Sequence, residues 1–160
     1  MGHILIWSLL GLLIILMYIF YKVYSMKIEN KQKKRKKIID ILEKNGKVKE
    51  CINNDFIIFE YRNEVYEIFL WNVPNNCEIT FNSKKIWEIR KGSSIVLKDM
   101  SSFVIKPGKK IVLISPKQQV LKRYENENEM KFIYPNEPFW NMNAIFLEDL
   151  EETLMNGLSK

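Results

Sequence analysis

Histidine is almost missing from this sequence, because the one histidine among its 160 residues is His3. A Ser-His or Cys-His nucleophile pair, a histidine general base and a His-rich zinc site all need this side chain within the folded part of a protein. His3 precedes a long apolar run at the N-terminus. The sequence therefore gives no support to most hydrolase mechanisms, which lose their usual base.

The signatures of nucleotide binding are also missing. Neither G-x-x-x-x-G-K-[ST] nor G-x-G-x-x-G occurs, and Pro107-Gly108 is typical of a turn that precedes a strand. The two cysteines, Cys51 and Cys77, lack C-x-x-C spacing, and we expect two small buried side chains, although one disulfide between them stays open. No cofactor and no metal site is predicted.

The longest segment without a charged residue runs from Ile4 to Tyr21 and has 18 residues. A run of about 18 apolar residues is long enough to be a candidate for a membrane-spanning helix, and Lys22 can extend its aliphatic stem along such a helix. A cleaved signal peptide is the alternative, but Met1-Gly2-His3 supplies no positively charged region before the run. We predict a transmembrane helix over residues 3–25.

The positive charge is concentrated beside this run. The chain has 25 Lys and Arg against 19 Asp and Glu, a net charge of +6. Eight positive residues and one negative residue lie between Lys22 and Lys37, which leaves 17 positive and 18 negative residues in 38–160. A nearly neutral domain does not favour nucleic-acid binding. Because positive flanks stay on the cytoplasmic side, we expect a single-pass cell-membrane protein with its N-terminus outside and its domain in the cytoplasm.

Residues 26–45 are predicted to form a basic juxtamembrane helix or linker that ends at Asn45-Gly46. Its basic run is a candidate site for anionic lipid headgroups, since each Lys or Arg near an anionic leaflet contributes about 1 kcal/mol. A coiled-coil stalk is disfavoured because no apolar heptad pattern continues through the run. The candidate lipid-binding residues are Lys31, Lys33, Lys34, Arg35, Lys36 and Lys37.

Residues 46–160 are predicted to form a small β-rich α+β domain, mainly of antiparallel strands, with a C-terminal helix. The apolar run Ile111–Ile114 indicates a central strand that is covered on both faces. Residues 118–128 are predicted to be helical or irregular, and 148–158 to form the closing helix. The predicted strands are 47–52, 55–61, 65–71, 77–81, 84–90, 93–97, 103–105, 109–115, 130–134 and 144–146.

Asp and Glu carboxylates are the catalytic side chains that remain available in the predicted domain. Glu78 followed by Glu88 and Arg90 partly resembles the acid, acid-x-lysine arrangement of metal-dependent nucleases, in which two carboxylates hold Mg²⁺. Arg90 stands where such enzymes have lysine, and Thr80 stands where a second acid is expected. Charged residues on the exposed face of an antiparallel sheet explain the same pattern. A degenerate or divergent nuclease-like domain is thus the alternative to a domain without catalysis.

The segment from Tyr134 to Met142 combines two prolines with large apolar side chains. Aromatic residues and methionine are enriched at protein-protein interfaces, so the segment is a candidate protein-binding loop. The same residues could instead fold back as a lid on the core, which is the commoner fate of aromatic side chains. The candidate protein-binding residues are Tyr134, Phe139, Trp140 and Met142.

Together these features predict a membrane-anchored, non-enzymatic binding or scaffolding domain at the cytoplasmic face. The expected partners are a bilayer with anionic headgroups and a protein that the sequence does not identify.

Overall fold

The structure is a computed structural model that describes residues 2–50, 52 and 55–159, with side chains described from Leu12 onward. Its contacts divide the chain into two compact units, one up to Ile38 and the other from Ile39 to the C-terminus.

Helix α1 (Gly2–Asn45) contains both the predicted span, 3–25, and the predicted juxtamembrane segment, 26–45. Residues 3–11 of that span lie outside the residues whose side chains are described. Among the described residues, no helix has the length and hydropathy that a membrane crossing requires. The helix ends at Asn45, as predicted. At Gly46 an added Cβ would lie 2.3 Å from the carbonyl oxygen of Glu60, so this position tolerates only glycine.

The second unit contains eleven strands in the described residues, arranged in two sheets. In the first sheet the order is β1-β2-β3-β7-β11-β10, and in the second it is β6-β5-β4-β8-β9. The strands of the first sheet are β1 (Lys47–Glu50), β2 (Phe56–Tyr61), β3 (Glu64–Asn72), β7 (Lys109–Ser115), β10 (Pro138–Phe139) and β11 (Met142–Phe146). Those of the second are β4 (Glu78–Phe81), β5 (Ile86–Lys91), β6 (Ser94–Asp99), β8 (Val120–Asn126) and β9 (Glu129–Phe132).

Two antiparallel meanders, β1-β2-β3 and β4-β5-β6, are present as the sequence predicts. Both sheets are nevertheless mixed, because β7 runs parallel to β3 and β11, and β8 runs parallel to β4. The prediction of a β-rich domain is confirmed, and six of the nine strand pairings are antiparallel; the three parallel pairings, which make both sheets mixed, were not predicted. Strand β7 is central and its apolar run Ile111–Ile114 is buried, as predicted.

The principal core lies between the inner faces of the two sheets and is rich in aromatic side chains. Trp71 of β3 meets Trp87 of β5 with ring centroids 5.2 Å apart, and Phe81 of β4 lies 5.0 Å from Trp87. On the other face of the first sheet, Ile57, Ile68 and other side chains are fully buried. The sheet is thus covered on both faces.

Two predicted elements are wrong. Residues 103–105 are not a strand, because Ser101–Val104 forms the short helix α2, which starts where Asp99 Oδ1 accepts the Ser101 N–H at 2.8 Å. Most of residues 118–128 are neither helical nor irregular, because Val120–Asn126 form strand β8, which pairs with β4 and β9. The closing helix is confirmed as a 3-10 turn (Leu147–Asp149) followed by α3 (Leu150–Asn156).

Candidate functional site

The candidate lipid-binding run lies within α1. Lys31, Lys33, Lys36 and Lys37 are exposed, whereas Lys34 and Arg35 are half-buried. Lys33 Nζ lies 2.6 Å from Glu29 Oε1 one helical turn away. Six basic residues within seven positions surround the helix axis, because successive side chains are about 100° apart. Lipid binding by this run stays a prediction.

The candidate protein-binding residues have different environments. Phe139 and Met142 are buried members of the core between the sheets, whereas Tyr134 is 74% exposed. Trp140 is half-buried and packs against the core, with its ring 5.7 Å from that of Phe139. The segment thus combines a lid on the core with an accessible edge. Of the four candidate residues, Tyr134 and Trp140 are the two that a partner could reach.

A tight hairpin positions Trp140. Phe139 of β10 pairs with Met142 of β11, which leaves Trp140 and Asn141 as a two-residue connection. Both have positive φ, 48° and 63°, as in the primed turns that join antiparallel strands. Tryptophan rarely adopts this conformation, so the surrounding structure must hold Trp140 in it.

Trp140 is a lining residue of three cavities. One, of about 350 Å³, is lined by Tyr66 and Lys109, and the Tyr66 hydroxyl donates a hydrogen bond to Glu64 Oε2 at 2.6 Å. Burial and that hydrogen bond raise the pKa of the Tyr66 hydroxyl. A wider one, of about 650 Å³, lies beside Tyr124. The third, of about 150 Å³, lies between the hairpin and the turn before β7.

A buried ion pair stands beside this third cavity. Lys110 of β7 is only 3% exposed, and its Nζ lies 3.0 Å from Glu67 Oε2 on the neighbouring strand β3. The other oxygen of Glu67 accepts a hydrogen bond from Lys106 Nζ, also at 3.0 Å. The Lys110 ammonium also lies 4.9 Å from the centroid of the Phe103 ring. A buried ammonium needs such partners, because desolvation of an unpaired charge costs several kcal/mol.

Sequence reasoning missed this cluster. Its signal was a charged residue beside the apolar run of each of two strands, Glu67 before Ile68–Trp71 in β3 and Lys110 before Ile111–Ile114 in β7. Surface lysines are numerous in this chain, and nothing in the alternation of β7 alone identifies one of them as buried.

The residues of the nuclease-like alternative lie on adjacent strands of the second sheet. Glu78 pairs with Lys122 Nζ at 2.8 Å, and Glu88 accepts hydrogen bonds from Arg90 and Asn82 at 3.0 Å each. The hydrogen bond from Lys122 lowers the pKa of Glu78, and that from Asn82, with help from Arg90, lowers the pKa of Glu88.

Both carboxylates therefore already have cationic partners. Among the described residues, no group of three or more His, Cys, Asp or Glu side chains is arranged to hold a metal ion. The nuclease-like alternative stays a prediction that this pairing does not favour.

Cys77 is a free, buried thiol, and burial raises its pKa. Its backbone N–H donates to Gln118 Oε1 at 3.0 Å. The expectation of a small buried side chain is thus confirmed for Cys77, whereas Cys51 and the side chain of His3 lie outside the described residues.

Comparison of this chain with known protein families, with curated proteins and with solved structures gives no match.

Proposed function

We propose that this chain is a single-pass membrane protein whose folded unit is a non-enzymatic binding or scaffolding domain at the cytoplasmic face. The observation that carries the proposal is the exposure of Leu12–Tyr21. All ten of these consecutive side chains are apolar and exposed on α1. Because helical side chains are about 100° apart, ten of them cover every side of the helix.

A helix that is apolar all round belongs either in a large protein core or in a membrane. Each apolar side chain of the size of Leu or Ile gains roughly 1.5 to 3 kcal/mol when it leaves water. The described part of this chain covers none of the ten. The uncharged run that begins at Ile4 lengthens the segment toward the thickness of a bilayer.

The basic run supports the orientation. A net charge of +7 between Lys22 and Lys37 lies C-terminal to the apolar segment, and positive flanks are retained in the cytoplasm. The same residues favour anionic headgroups at that face. An anchor of this kind raises the local concentration of whatever the domain binds, which suits a scaffold. The accessible edge at Tyr134 and Trp140 is the surface we assign to a protein partner.

Protease treatment of intact cells tests the topology. We expect residues 27–160 to survive protease added outside and to be digested after the cells are permeabilised, which serves as the control. Digestion of the domain in intact cells would contradict the orientation, and recovery of the full chain in the soluble fraction would contradict the anchor.

Vesicle binding tests the basic run separately. A fragment of residues 27–160 should bind anionic vesicles in a salt-dependent manner, because salt screens charge at these distances. Replacement of residues 33–37 by Gln should weaken this binding and remove its salt dependence, with zwitterionic vesicles as the control. Unchanged binding would mean that the run serves topology alone.

A further inference from the structure

The smallest of the three cavities beside Trp140 is lined mainly by polar and cationic groups. Three lysines border it, Lys84 from the turn before β5, Lys106 from the turn before β7, and Lys110 from β7 itself. Gly108, Trp140 and Asn141 are among the other residues that line it. We call this cavity, with the three lysines, the lysine pocket.

The charge around the lysine pocket is not balanced by the described residues. Glu67 is shared between Lys106 and Lys110, so two cations have one carboxylate. Lys84 forms no salt bridge with any residue that the structure describes. Three lysines and no acidic residue line this cavity, and Glu67 is the one carboxylate that pairs with two of them, which leaves an excess of positive charge there. Lys84 also lines the neighbouring, wider cavity, together with Glu125 and Glu127.

Burial of Lys110 strengthens the attraction of this positive charge for an anion. A lysine that is 3% exposed interacts with charges through a medium of lower dielectric constant than water, which strengthens its attraction for an anion. Glu67 occupies one of the three donors of its ammonium, and the Phe103 ring faces it at 4.9 Å. Lys110, a residue that lines the cavity, thus carries a buried cation that two neighbouring groups hold in place.

The size of the cavity limits what can enter. A cavity of about 150 Å³ is comparable with one that accepts benzene, and a phosphate group is smaller than benzene. A peptide or a nucleic-acid strand does not fit within this volume. At Gly108, which has φ of +111°, no heavy atom lies within 4 Å of the position that a Cβ would take, so the turn leaves space.

From the excess charge, the buried cation and the volume, we propose that the lysine pocket binds a small phosphate dianion. The ligand is inorganic phosphate or the phosphate group of a small monoester, held by Lys84, Lys106 and Lys110. This inference does not depend on membrane anchoring, because every residue involved belongs to the unit from Ile39 onward.

Calorimetric titration of the full chain in detergent tests this proposal. Inorganic phosphate and glycerol phosphate are titrated separately at constant ionic strength, with chloride as the control anion. We expect saturable binding with one site per chain. Tighter binding of inorganic phosphate would assign the pocket to the free ion, and tighter binding of glycerol phosphate would assign it to a monoester. Absence of saturation by both would overturn the proposal.

Matched variants separate the pocket from general surface charge. Lys84→Gln should weaken phosphate binding about tenfold, as expected for the loss of one charge-assisted hydrogen bond. Lys85→Gln removes the same charge from the adjacent exposed residue, which does not line the pocket, and should leave binding unchanged. Equal weakening by the two variants would overturn the proposal.

Glu67→Gln provides a test of opposite sign. The variant removes the carboxylate that competes with phosphate for Lys106 and Lys110, so phosphate should bind more tightly and raise the melting temperature more than in the parent protein. Weaker binding in a folded Glu67→Gln protein would contradict the assignment. If this variant does not fold, the comparison of Lys84→Gln with Lys85→Gln still decides.

Discussion

Truncation of Phe139 to alanine tests whether the segment from Tyr134 to Met142 is a lid on the core. Phe139 is 4% exposed, and its ring lies 4.8 Å from that of Phe81 in an edge-to-face arrangement. Removal of a buried phenylalanine side chain costs about 3 to 5 kcal/mol, of which the aromatic pair accounts for about 0.5 to 1.5 kcal/mol. A domain of ordinary stability, about 5 to 15 kcal/mol, would lose a large share of it.

Trp140 supplies the internal comparison. Its residue is only half-buried, so Trp140→Ala should cost less than Phe139→Ala. Trp140→Gly should lower the free energy of unfolding less than Trp140→Ala does, because glycine adopts the positive φ of this position without strain. If Trp140 contacts a protein partner, both substitutions should also reduce co-purification of that partner.

Urea unfolding of residues 39–160, followed by near-ultraviolet circular dichroism, measures these free energies. The expected order of destabilisation is Phe139→Ala, then Trp140→Ala, with the slope of the denaturant dependence unchanged. A change of about 0.5 kcal/mol or less for Phe139→Ala is what an exposed position gives, and it would refute the placement of this residue in the core. Co-purification from detergent extracts would then be the informative measurement.

Four further predictions follow from particular contacts. Gly46→Ala should lower the melting temperature, because its Cβ would lie 2.3 Å from the Glu60 carbonyl oxygen; Lys47→Ala, at an exposed neighbouring position, is the control, and equal melting temperatures of the two variants would contradict this packing. The pKa of Glu88 is lower in the folded state than the ordinary value of 4.5. Its ionised carboxylate therefore stabilises the fold above pH 4.5, and this stabilisation is lost as the pH falls through the lower, folded-state pKa. Glu88→Gln should therefore flatten the acid limb of a stability-against-pH curve, and an unaltered limb would contradict the interaction. Burial of Cys77 predicts slow reaction with thiol reagents until the protein is unfolded, as kinetic labelling would show; rapid labelling of the folded state would contradict it. Finally, we expect no cleavage of DNA or RNA with Mg²⁺ or Mn²⁺, and cleavage that Glu78→Ala abolishes would refute the non-enzymatic proposal.

The antiparallel meanders could be predicted because local chemistry specifies them. Arg62 and Asn63 form a two-residue connection between β2 and β3, with positive φ at both positions. Gly92, with φ of 58°, serves the turn between β5 and β6. Such turns need residues that accept the left-handed conformation, and the apolar pattern on either side then fixes which residues pair.

The two wrong elements share a physical cause, which is that contacts far along the chain overrode local preference. Residues 118–128 contain Gln, Lys, Arg and Glu, which favour helices, yet β8 is a strand because β4 and β9 supply hydrogen bonds on both sides. Phe103 and Val104 are residues typical of strands, yet they bury their side chains from the single turn of α2. In neither case does the sequence of the segment alone specify whether it forms a helix or a strand.

The lysine pocket illustrates the same limit at the level of a single residue. Lys109 and Lys110 are adjacent and chemically identical, but alternation along β7 sends them to opposite faces, where Lys109 pairs with Glu64 and Lys110 pairs with Glu67. The sequence of β7 indicates that Lys110 shares a face with Val112 and Ile114. The sequence of β7 does not indicate that a carboxylate lies beside Lys110. Glu67 is 43 residues earlier in the chain and contacts Lys110 only because of the register of two parallel strands. A shift of that register by one residue would place the charge of Glu67 on the opposite face, remove the partner of the buried ammonium and so eliminate the pocket.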